Sequence, residues 1–273
     1  MNPRADASRI TARVTRRAVL TGAATLAGGL AGWLACGPAW ADLVTVAAAA
    51  RPSVLPIGTF NPTDSPRFSF RGTGFVVGDG SLLATCFHVL PEGAEAESGP
   101  RIVALIRRAT ERESEVRTLR VVATDRLRDL ALLRIEGAPL PALGLDDAPS
   151  AREGQSVALM GYPIGGVLGF APVVHRGIVS SITQANLPMQ TARQLDAKTV
   201  ARMREGNFDL YQLDATAYPG NSGGPLLDAT TGRVLGVVTS VLVKGGRESA
   251  LSQPTGITYA VPVAPLRDLL KDR

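Results

Sequence analysis

One serine stands among glycines between two strand-like runs. The segment Tyr218–Pro225 reads Tyr-Pro-Gly-Asn-Ser-Gly-Gly-Pro, and Ser222 is its fifth residue. Glycines permit a sharp turn that exposes a serine oxygen, and they let another backbone approach closely. In such a turn the amides of Gly220 and Ser222 can point into one pocket, where two donors would stabilise an oxyanion. For this segment alone, a glycine-rich hairpin without chemistry is the alternative.

A nucleophilic serine needs a base, because its hydroxyl is unreactive unless a neighbour accepts the proton. The chain offers two histidines, His88 and His175. His88 ends the strand-like run Ser81–His88, whereas His175 stands in Val173–Arg176, just before another apolar segment. We interpret His88 as the candidate base and His175 as a surface or loop residue.

The base in turn needs a carboxylate that holds it in the right tautomer; replacing that Asp by Asn costs about 10,000-fold in a well-studied protease. Asp129 directly precedes the apolar run Leu130–Leu133, so it could be buried at the start of a strand. Asp125 is the rival, but its neighbours are more polar, and we interpret it as a solvated turn residue. The candidate catalytic residues are therefore His88, Asp129 and Ser222.

The segments that must position these residues are short and apolar, with turn residues between them. Many of them alternate or are β-branched, which is typical of half-buried strands. About a dozen such strands without a βαβ rhythm predict an all-β protein, either a barrel or a sandwich. The clearest segments are Ser53–Phe60, Gly74–Val77, Leu82–Thr85, Arg101–Ile106, Leu119–Thr124, Ala131–Ile135, Ser156–Met160, Gly177–Ile182, Tyr211–Asp214, Pro225–Leu227, Val234–Val243 and Thr258–Val261.

Three further segments differ from these strands. Pro265–Asp272 predicts a short C-terminal helix with its leucines on one face. Leu187–Asn207 is polar, and we interpret it as a long loop between strands. Glu136–Glu153 is rich in Pro, Ala, Gly and Asp, so it is the best candidate for a crossover between two halves of the chain.

Residues 1–41 have the composition of an export signal. Five arginines and one aspartate accompany an Ala/Gly/Leu-rich stretch, and Ala39–Ala41 supplies a small-x-small cleavage site. Thr15–Leu20 resembles a twin-arginine motif; a Sec signal with two adjacent arginines is the alternative. Glycines within the stretch argue against a membrane anchor. We therefore expect an exported chain, periplasmic or secreted, with no stable anchor after cleavage.

Removal of residues 1–41 would lower the formal net charge from +5 to +1. The mature chain therefore gives no reason to expect nucleic acid or an anionic membrane as a partner. It would keep one cysteine, Cys86, which excludes an intramolecular disulfide. Two distant histidines and one cysteine do not have the spacing of a zinc site. No glycine-rich phosphate loop is followed by a lysine either, so we expect neither metal nor cofactor.

Three blocks in the right order give the sequence a specific resemblance. Thr85–His88, Asp129–Leu133 and Gly220–Pro225 resemble the three catalytic blocks of trypsin-like serine proteases, and most of all those of the bacterial HtrA/Deg type. The likeness extends roughly from Ser53 to Leu270. Further segments that support it are Gly72–Val77, Gly177–Ser180 and Gly256–Pro262.

This resemblance implies two six-stranded antiparallel β-barrels and a short C-terminal helix, with the site in the cleft between the barrels. Residues 42–145 would form the barrel that carries His88 and Asp129, and residues 146–273 the barrel that carries Ser222. His88 would act as general base and then as general acid, Asp129 would orient it, and the amides of Gly220 and Ser222 would form the oxyanion hole. Proteins or peptides would be the substrates.

The sequence also departs from its relatives. Digestive members have an aspartate at the position of Asn221, which pairs with a newly cut N-terminus, so we do not expect zymogen activation by that route. The HtrA type usually carries a PDZ module after the protease, and we expect none here because the chain ends about a dozen residues after its last predicted strand. Leu187–Asn207 falls where the HtrA type has a regulatory loop. We make no prediction of the oligomeric state.

Specificity is predicted from the same resemblance. Thr216 would lie near the floor of the S1 pocket and Val241 on its wall. Neither residue is acidic, which argues against Arg or Lys at P1. Val241 replaces a position that is often glycine, and its bulk would narrow the pocket, so we expect small or aliphatic P1 residues.

Two other functions are alternatives to a protease. The Gly-x-Ser-x-Gly pattern around Ser222 also fits the nucleophile elbow of esterases. That fold places its histidine after the serine, and no histidine follows Ser222. A gated or catalytically silent HtrA-like protein, acting as a binding or chaperone module, is the second alternative, although all three candidate residues are present.

Overall fold

Twelve strands form two closed six-stranded barrels in a computed structural model. The structure describes residues 42–96, 98–107, 114–148, 151–163, 170–185, 208–239 and 256–271, all within one contiguous unit, 40–273. Every strand pairing in both barrels is antiparallel. The predicted fold class, an all-β trypsin-like pair of barrels, is therefore confirmed.

The first barrel has the strand order β1-β2-β3-β6-β5-β4 and the second β10-β11-β12-β9-β8-β7. Segment 136–155 connects the two barrels. Each predicted strand segment overlaps one observed strand, and residues 240–243 of the predicted segment Val234–Val243 lie outside the described residues. The strands are β1 (Val54–Phe60), β2 (Phe68–Val77), β3 (Leu82–Cys86), β4 (Ile102–Ile106), β5 (Glu115–Asp125), β6 (Leu130–Ile135), β7 (Ser156–Gly161), β8 (Val173–Gln184), β9 (Asp209–Asp214), β10 (Pro225–Asp228), β11 (Val234–Thr239) and β12 (Ile257–Pro262).

Each barrel is filled by the inward residues of its own strands. Because both sheets close on themselves, burial of these side chains leaves no sheet edge exposed. Large side chains that are fully buried include Phe75, Leu83 and Leu132 in the first barrel and Leu159, Tyr211 and Leu226 in the second. The barrels contact each other where β1 and β2 meet β7 and where β3 meets β11.

Two helices lie outside the barrels. Helix α1 (Leu43–Ala50) begins after Asp42, whose side chain accepts a hydrogen bond from the Thr45 amide, an N-cap that the sequence analysis did not predict. Helix α2 (Val263–Lys271) begins two residues before the predicted C-terminal helix Pro265–Asp272, whose last residue lies outside the described residues. It packs on β11 of the second barrel and on β5 and β6 of the first. Within the described residues, neither helix has the length and apolar character needed to cross a membrane.

Candidate active site

His88 and Asp129 lie side by side because the strands that precede and follow them are paired. Strand β3 ends at Cys86, which lies opposite Leu130, the first residue of β6. His88 follows in a short 3-10 turn after β3, and Asp129 stands just before β6. The His88 Nδ1 atom is 2.7 Å from Asp129 Oδ2, and the His88 amide donates to Asp129 Oδ1 at 2.9 Å. Asp129 has a positive φ of 58°.

A third group reaches the same carboxylate from the other barrel. Thr239, the last residue of β11, donates its hydroxyl to Asp129 Oδ2 at 2.9 Å. The sequence analysis missed Thr239, because a threonine inside a predicted strand carries no signal of its own. A carboxylate can only accept hydrogen bonds, so this contact favours the His88 tautomer that has its proton on Nδ1 and leaves Nε2 as an acceptor. This is the tautomer that a general base requires.

The segment around Ser222 begins with a tight turn of type II character. The Asn221 amide donates to Tyr218 O at 3.0 Å, and Gly220 has a φ of 105°. Proline at the second position and glycine with positive φ at the third are the residues that a type II turn favours. In the described part of the chain, the amide of Gly220 donates no hydrogen bond. This amide is therefore available to donate a hydrogen bond to a bound ligand.

Contacts across the junction bring Ser222 beside the His88 turn. The amide of Thr73 in β2 donates to Ser222 O at 2.9 Å. A Cβ atom at Gly72 would lie 2.6 Å from a methyl group of Val89, next to His88, and 3.1 Å from Ser222 O. One at Gly223 would come within 3.0 Å of the Cys86 amide nitrogen. The three predicted residues therefore converge on one junction between the barrels, where glycines allow the close approach.

Asn221 is buried behind this turn. The residue is 1 % exposed, and neither its Oδ1 nor its Nδ2 has a hydrogen-bond partner in the described structure. Oδ1 faces Gly161, where a Cβ would lie 2.7 Å away. A neutral amide avoids burying a charge at this position, since a buried carboxylate without a cation would be costly.

Cys86 lies beneath the His88–Asp129 pair. Its thiol donates to Val238 O at 3.3 Å, and burial raises the pKa of this thiol well above its usual range. The ligand-type atoms of Cys86, His88 and Asp129 lie within 4.8 Å of one another, which is the spacing of a small metal site. However, the thiol is held protonated, and the other two groups are hydrogen-bonded to each other. This donor set favours hydrogen bonding over metal coordination.

The rival carboxylate, Asp125, lies at a turn as predicted, but the prediction that it is solvated is wrong: its side chain is 16% exposed, against 19% for Asp129. Asp125 Oδ1 accepts from the Arg128 amide at 3.0 Å, and its Oδ2 lies 2.8 Å from the Arg128 guanidinium. Asp125 thus closes the turn that leads into Asp129.

His175 is less peripheral than predicted. It lies within β8, half-buried, so the interpretation as a loop residue is wrong. Its ring is centred 6.0 Å from that of Tyr218, and its Nε2 atom is buried with no hydrogen-bond partner in the described structure. Burial lowers the pKa of His175 from its ordinary value.

The predicted specificity residues are only partly described. Thr216 follows β9 and is half-buried. It lines an open depression together with Ser156, Arg176, Gly177, Ile178, Asp214 and Ala215. Val241 and the whole predicted loop Leu187–Asn207 lie outside the described residues.

The chain matches one family model and is similar to several known proteins. The family model for the trypsin-like peptidase domain matches residues 72–237, which are more than half of the chain and include His88, Asp129 and Ser222. The chain belongs to this family. Among its trypsin-like relatives is a probable periplasmic DegP-like serine endoprotease of Marinomonas sp., 30% identical over 207 residues, which cover 76% of this chain and 36% of the relative.

Other relatives agree with that assignment. A probable periplasmic DegP-like serine endoprotease of Pseudomonas fluorescens is 29% identical over 72% of this chain and 34% of its own. This chain thus spans about a third of the length of these curated relatives. Among solved structures, the HtrA-type protease AlgW with a tripeptide superposes with a TM-score of 0.60 at 24% identity, covering 85% of this chain and 63% of that one. This likeness shows the shared fold.

Proposed function

We propose that this chain is a serine endopeptidase that hydrolyses peptide bonds through an acyl-enzyme. The observation that carries the proposal is the hydrogen-bonded series Thr239–Asp129–His88 beside the turn of Ser222. A half-buried carboxylate that orients an imidazole next to a glycine-flanked serine is an arrangement suited to acyl transfer. The trypsin-like relatives named as serine endoproteases support the same reaction.

The proposed reaction has two halves. His88 Nε2 takes the proton of Ser222 as Oγ forms a bond to the carbonyl carbon of the peptide. The carbonyl oxygen becomes an oxyanion, which the amides of Gly220 and Ser222 receive. The imidazolium, stabilised by Asp129, then gives its proton to the leaving nitrogen as the C–N bond breaks. Water repeats the sequence on the acyl-enzyme, releasing the acid and restoring Ser222.

Neutral residues at the proposed S1 pocket support a preference for small or aliphatic P1 residues. Thr216 would form its floor and Val241 its wall, and neither can pair with a cationic side chain. A cleavage profile on a peptide library tests this preference, and cleavage dominated by Arg or Lys would contradict it.

Export of the protein is also part of the proposal. It is supported by the signal-like composition of residues 1–41 and by relatives that are named as periplasmic. N-terminal sequencing of the mature protein should then begin at Asp42, which is also the N-cap of α1. A mature chain that retains residues 1–41 in the cytoplasm would contradict export.

Covalent labelling with a fluorophosphonate probe tests the proposed catalytic residues. We expect the wild type to be labelled and to cleave casein, and the Ser222→Ala and His88→Ala variants to lose both activities. His175→Ala is the matched control, because it removes the other histidine and should keep both. Equal labelling of all variants would refute the assignment. A folded wild type that neither labels nor cleaves would favour the gated or silent alternative.

A further inference from the structure

Thr73 makes four hydrogen bonds at the junction of the two barrels. It lies in β2 of the first barrel and is fully buried. Its amide donates to Ser222 O at 2.9 Å, and its hydroxyl donates to Gly220 O at 2.6 Å. The same hydroxyl accepts from the Tyr162 amide at 3.1 Å, and the Thr73 carbonyl accepts from the Thr85 hydroxyl at 2.7 Å. A single residue thus contacts both residues whose amides would form the oxyanion hole.

The direction of the hydroxyl bond is fixed by its partners. A threonine hydroxyl has one proton and can accept at its lone pairs. The Tyr162 amide can only donate and the Gly220 carbonyl can only accept. The proton of Thr73 Oγ1 must therefore point to Gly220 O, so this carbonyl is held towards the first barrel.

Thr73 donates to the carbonyls of Gly220 and Ser222. Each carbonyl belongs to the peptide group that directly follows one of the two proposed donor amides. The Gly220–Asn221 peptide is held at both ends, since its carbonyl accepts from Thr73 and its amide donates to Tyr218 O. The Ser222–Gly223 peptide is held likewise, with its amide donating to Val238 O at 2.8 Å. Glycine backbone has many accessible conformations. Fixing these carbonyls therefore limits how far the preceding amides can rotate.

We propose that Thr73 is a positioning residue for the oxyanion hole, and that its hydroxyl holds the Gly220 amide in the orientation that receives the oxyanion. This inference depends on the proposed function of the Ser222 site. The second barrel supplies the donors, while a side chain of the first barrel sets their direction. Thr73 does not touch the reacting atoms.

Substitution by a residue of the same shape separates the hydroxyl from its packing. Thr73→Val keeps the volume but leaves Gly220 O and the Tyr162 amide without their partner, whereas Thr73→Ser keeps the hydroxyl. Losing a complete oxyanion-hole donor costs roughly 100- to 1,000-fold in kcat, so a misdirected donor should cost about 10- to 100-fold. We expect KM to change less than about threefold, because the effect falls on the transition state. Thr73→Ser should recover kcat to within about threefold of the wild type.

The measurements use the full exported chain and a fluorogenic peptide selected from the library profile. Rates are divided by the number of sites that a fluorophosphonate labels at completion, so unfolded molecules do not enter the comparison. A peptide aldehyde of the same sequence is the second probe, because its hemiacetal oxygen occupies the oxyanion hole. Its affinity should fall in proportion to kcat/KM in Thr73→Val, while the affinity of the matching alcohol should not change. Thr73→Ala serves as a second variant without the hydroxyl if Thr73→Val folds poorly.

Tyr162→Phe is the matched control. It removes another buried hydroxyl of the junction, which donates to Val54 O at 2.9 Å, without touching the Gly220 carbonyl. Both variants should lower the melting temperature, but Tyr162→Phe should keep kcat within about twofold of the wild type. A Thr73→Val enzyme with normal kcat and aldehyde affinity would overturn the inference and leave the proposed function intact. A loss of kcat in Thr73→Ser as large as that in Thr73→Val would also overturn it. A wild type that does not label would refute the proposed function itself.

Discussion

Asp129 receives hydrogen bonds from both barrels. His88 binds it from the turn after β3, and Thr239 binds it from the end of β11. With both oxygens engaged, the carboxylate has a defined direction relative to the imidazole. The orientation of His88 therefore depends on the docking of the two barrels as well as on the local sequence.

Replacing Asp129 by asparagine should leave the protein folded but nearly inactive. Asparagine tolerates the positive φ of this position, so the backbone should not change. An amide NH2 group facing His88 Nδ1 would favour the wrong tautomer, and kcat should fall by about 10,000-fold, as in the comparable protease variant. Steady-state kinetics and circular dichroism measure the two effects. Asp125→Asn is the matched control and should keep kcat within about twofold, since Asp125 only closes the adjacent turn.

The sequence revealed some residues of the site and not others. The difference lies in whether a residue belongs to a local sequence pattern or depends on contacts with distant parts of the chain. His88, Asp129 and Ser222 stand in blocks with their own local pattern, so they could be predicted from the chain alone. Thr73 and Thr239 could not, because ordinary strand threonines become important only through hydrogen bonds to residues more than a hundred positions away. Cys86 was visible as a cysteine, but its position beneath the carboxylate results from the pairing of β3 with β6.

At the scale of elements, α2 joins the two barrels. It follows β12 of the second barrel directly and packs on β5 and β6 of the first as well as on β11. Leu266 is fully buried in this contact, and the Arg267 guanidinium donates to Asp146 O at 2.9 Å, in the segment between the barrels. This short helix should therefore contribute to stability well beyond its length.

Leu266→Ala should destabilise the protein substantially. Deleting a fully buried leucine side chain costs about 2–5 kcal/mol of unfolding free energy. Leu269→Ala is the matched control on the same helix, and its half-buried side chain should cost less. Urea unfolding followed by circular dichroism compares the two. A loss for Leu266→Ala no larger than that for Leu269→Ala would contradict the role of α2 as a contact between the barrels.

The strand pattern was predictable because each barrel strand has a buried face. The longest strands were predicted too short. Strand β8 begins at Val173 rather than Gly177, and its first four residues lack the alternation of a strand with one buried face, since Val173 and Arg176 are exposed and the two between them half-buried. Helix α1 was missed although Asp42 and the following alanines favour a capped helix. Pairing and order of the strands came only from the resemblance, since alternation along a strand does not specify its neighbour.

On the scale of the whole molecule, acidification should weaken the fold through His175. Burial lowers the pKa of this residue in the folded protein, whereas in the unfolded chain it returns to about 6.5. Between these two values the unfolded state binds more protons, so the free energy of unfolding falls as the pH decreases through 6.5 and stops falling below the folded pKa.

The His175→Gln variant isolates this contribution. It should lose less stability than the wild type between pH 7.5 and 5.5, because glutamine cannot gain a proton. Urea unfolding at several pH values measures the difference. His88 and all carboxylates are common to both proteins, so they cancel in the comparison. Parallel pH profiles for the two proteins would show that His175 does not contribute.

The buried thiol of Cys86 gives the junction a built-in reporter. Its Sγ atom donates to the Val238 carbonyl of the opposite barrel, and no part of the residue is exposed. A water-soluble thiol reagent can therefore modify it only while the barrels are transiently separated. At reagent concentrations where modification is slower than reclosing, the labelling rate is proportional to the population of the separated state. Labelling kinetics under native conditions would thus measure how often the site between the barrels comes apart, without any added probe.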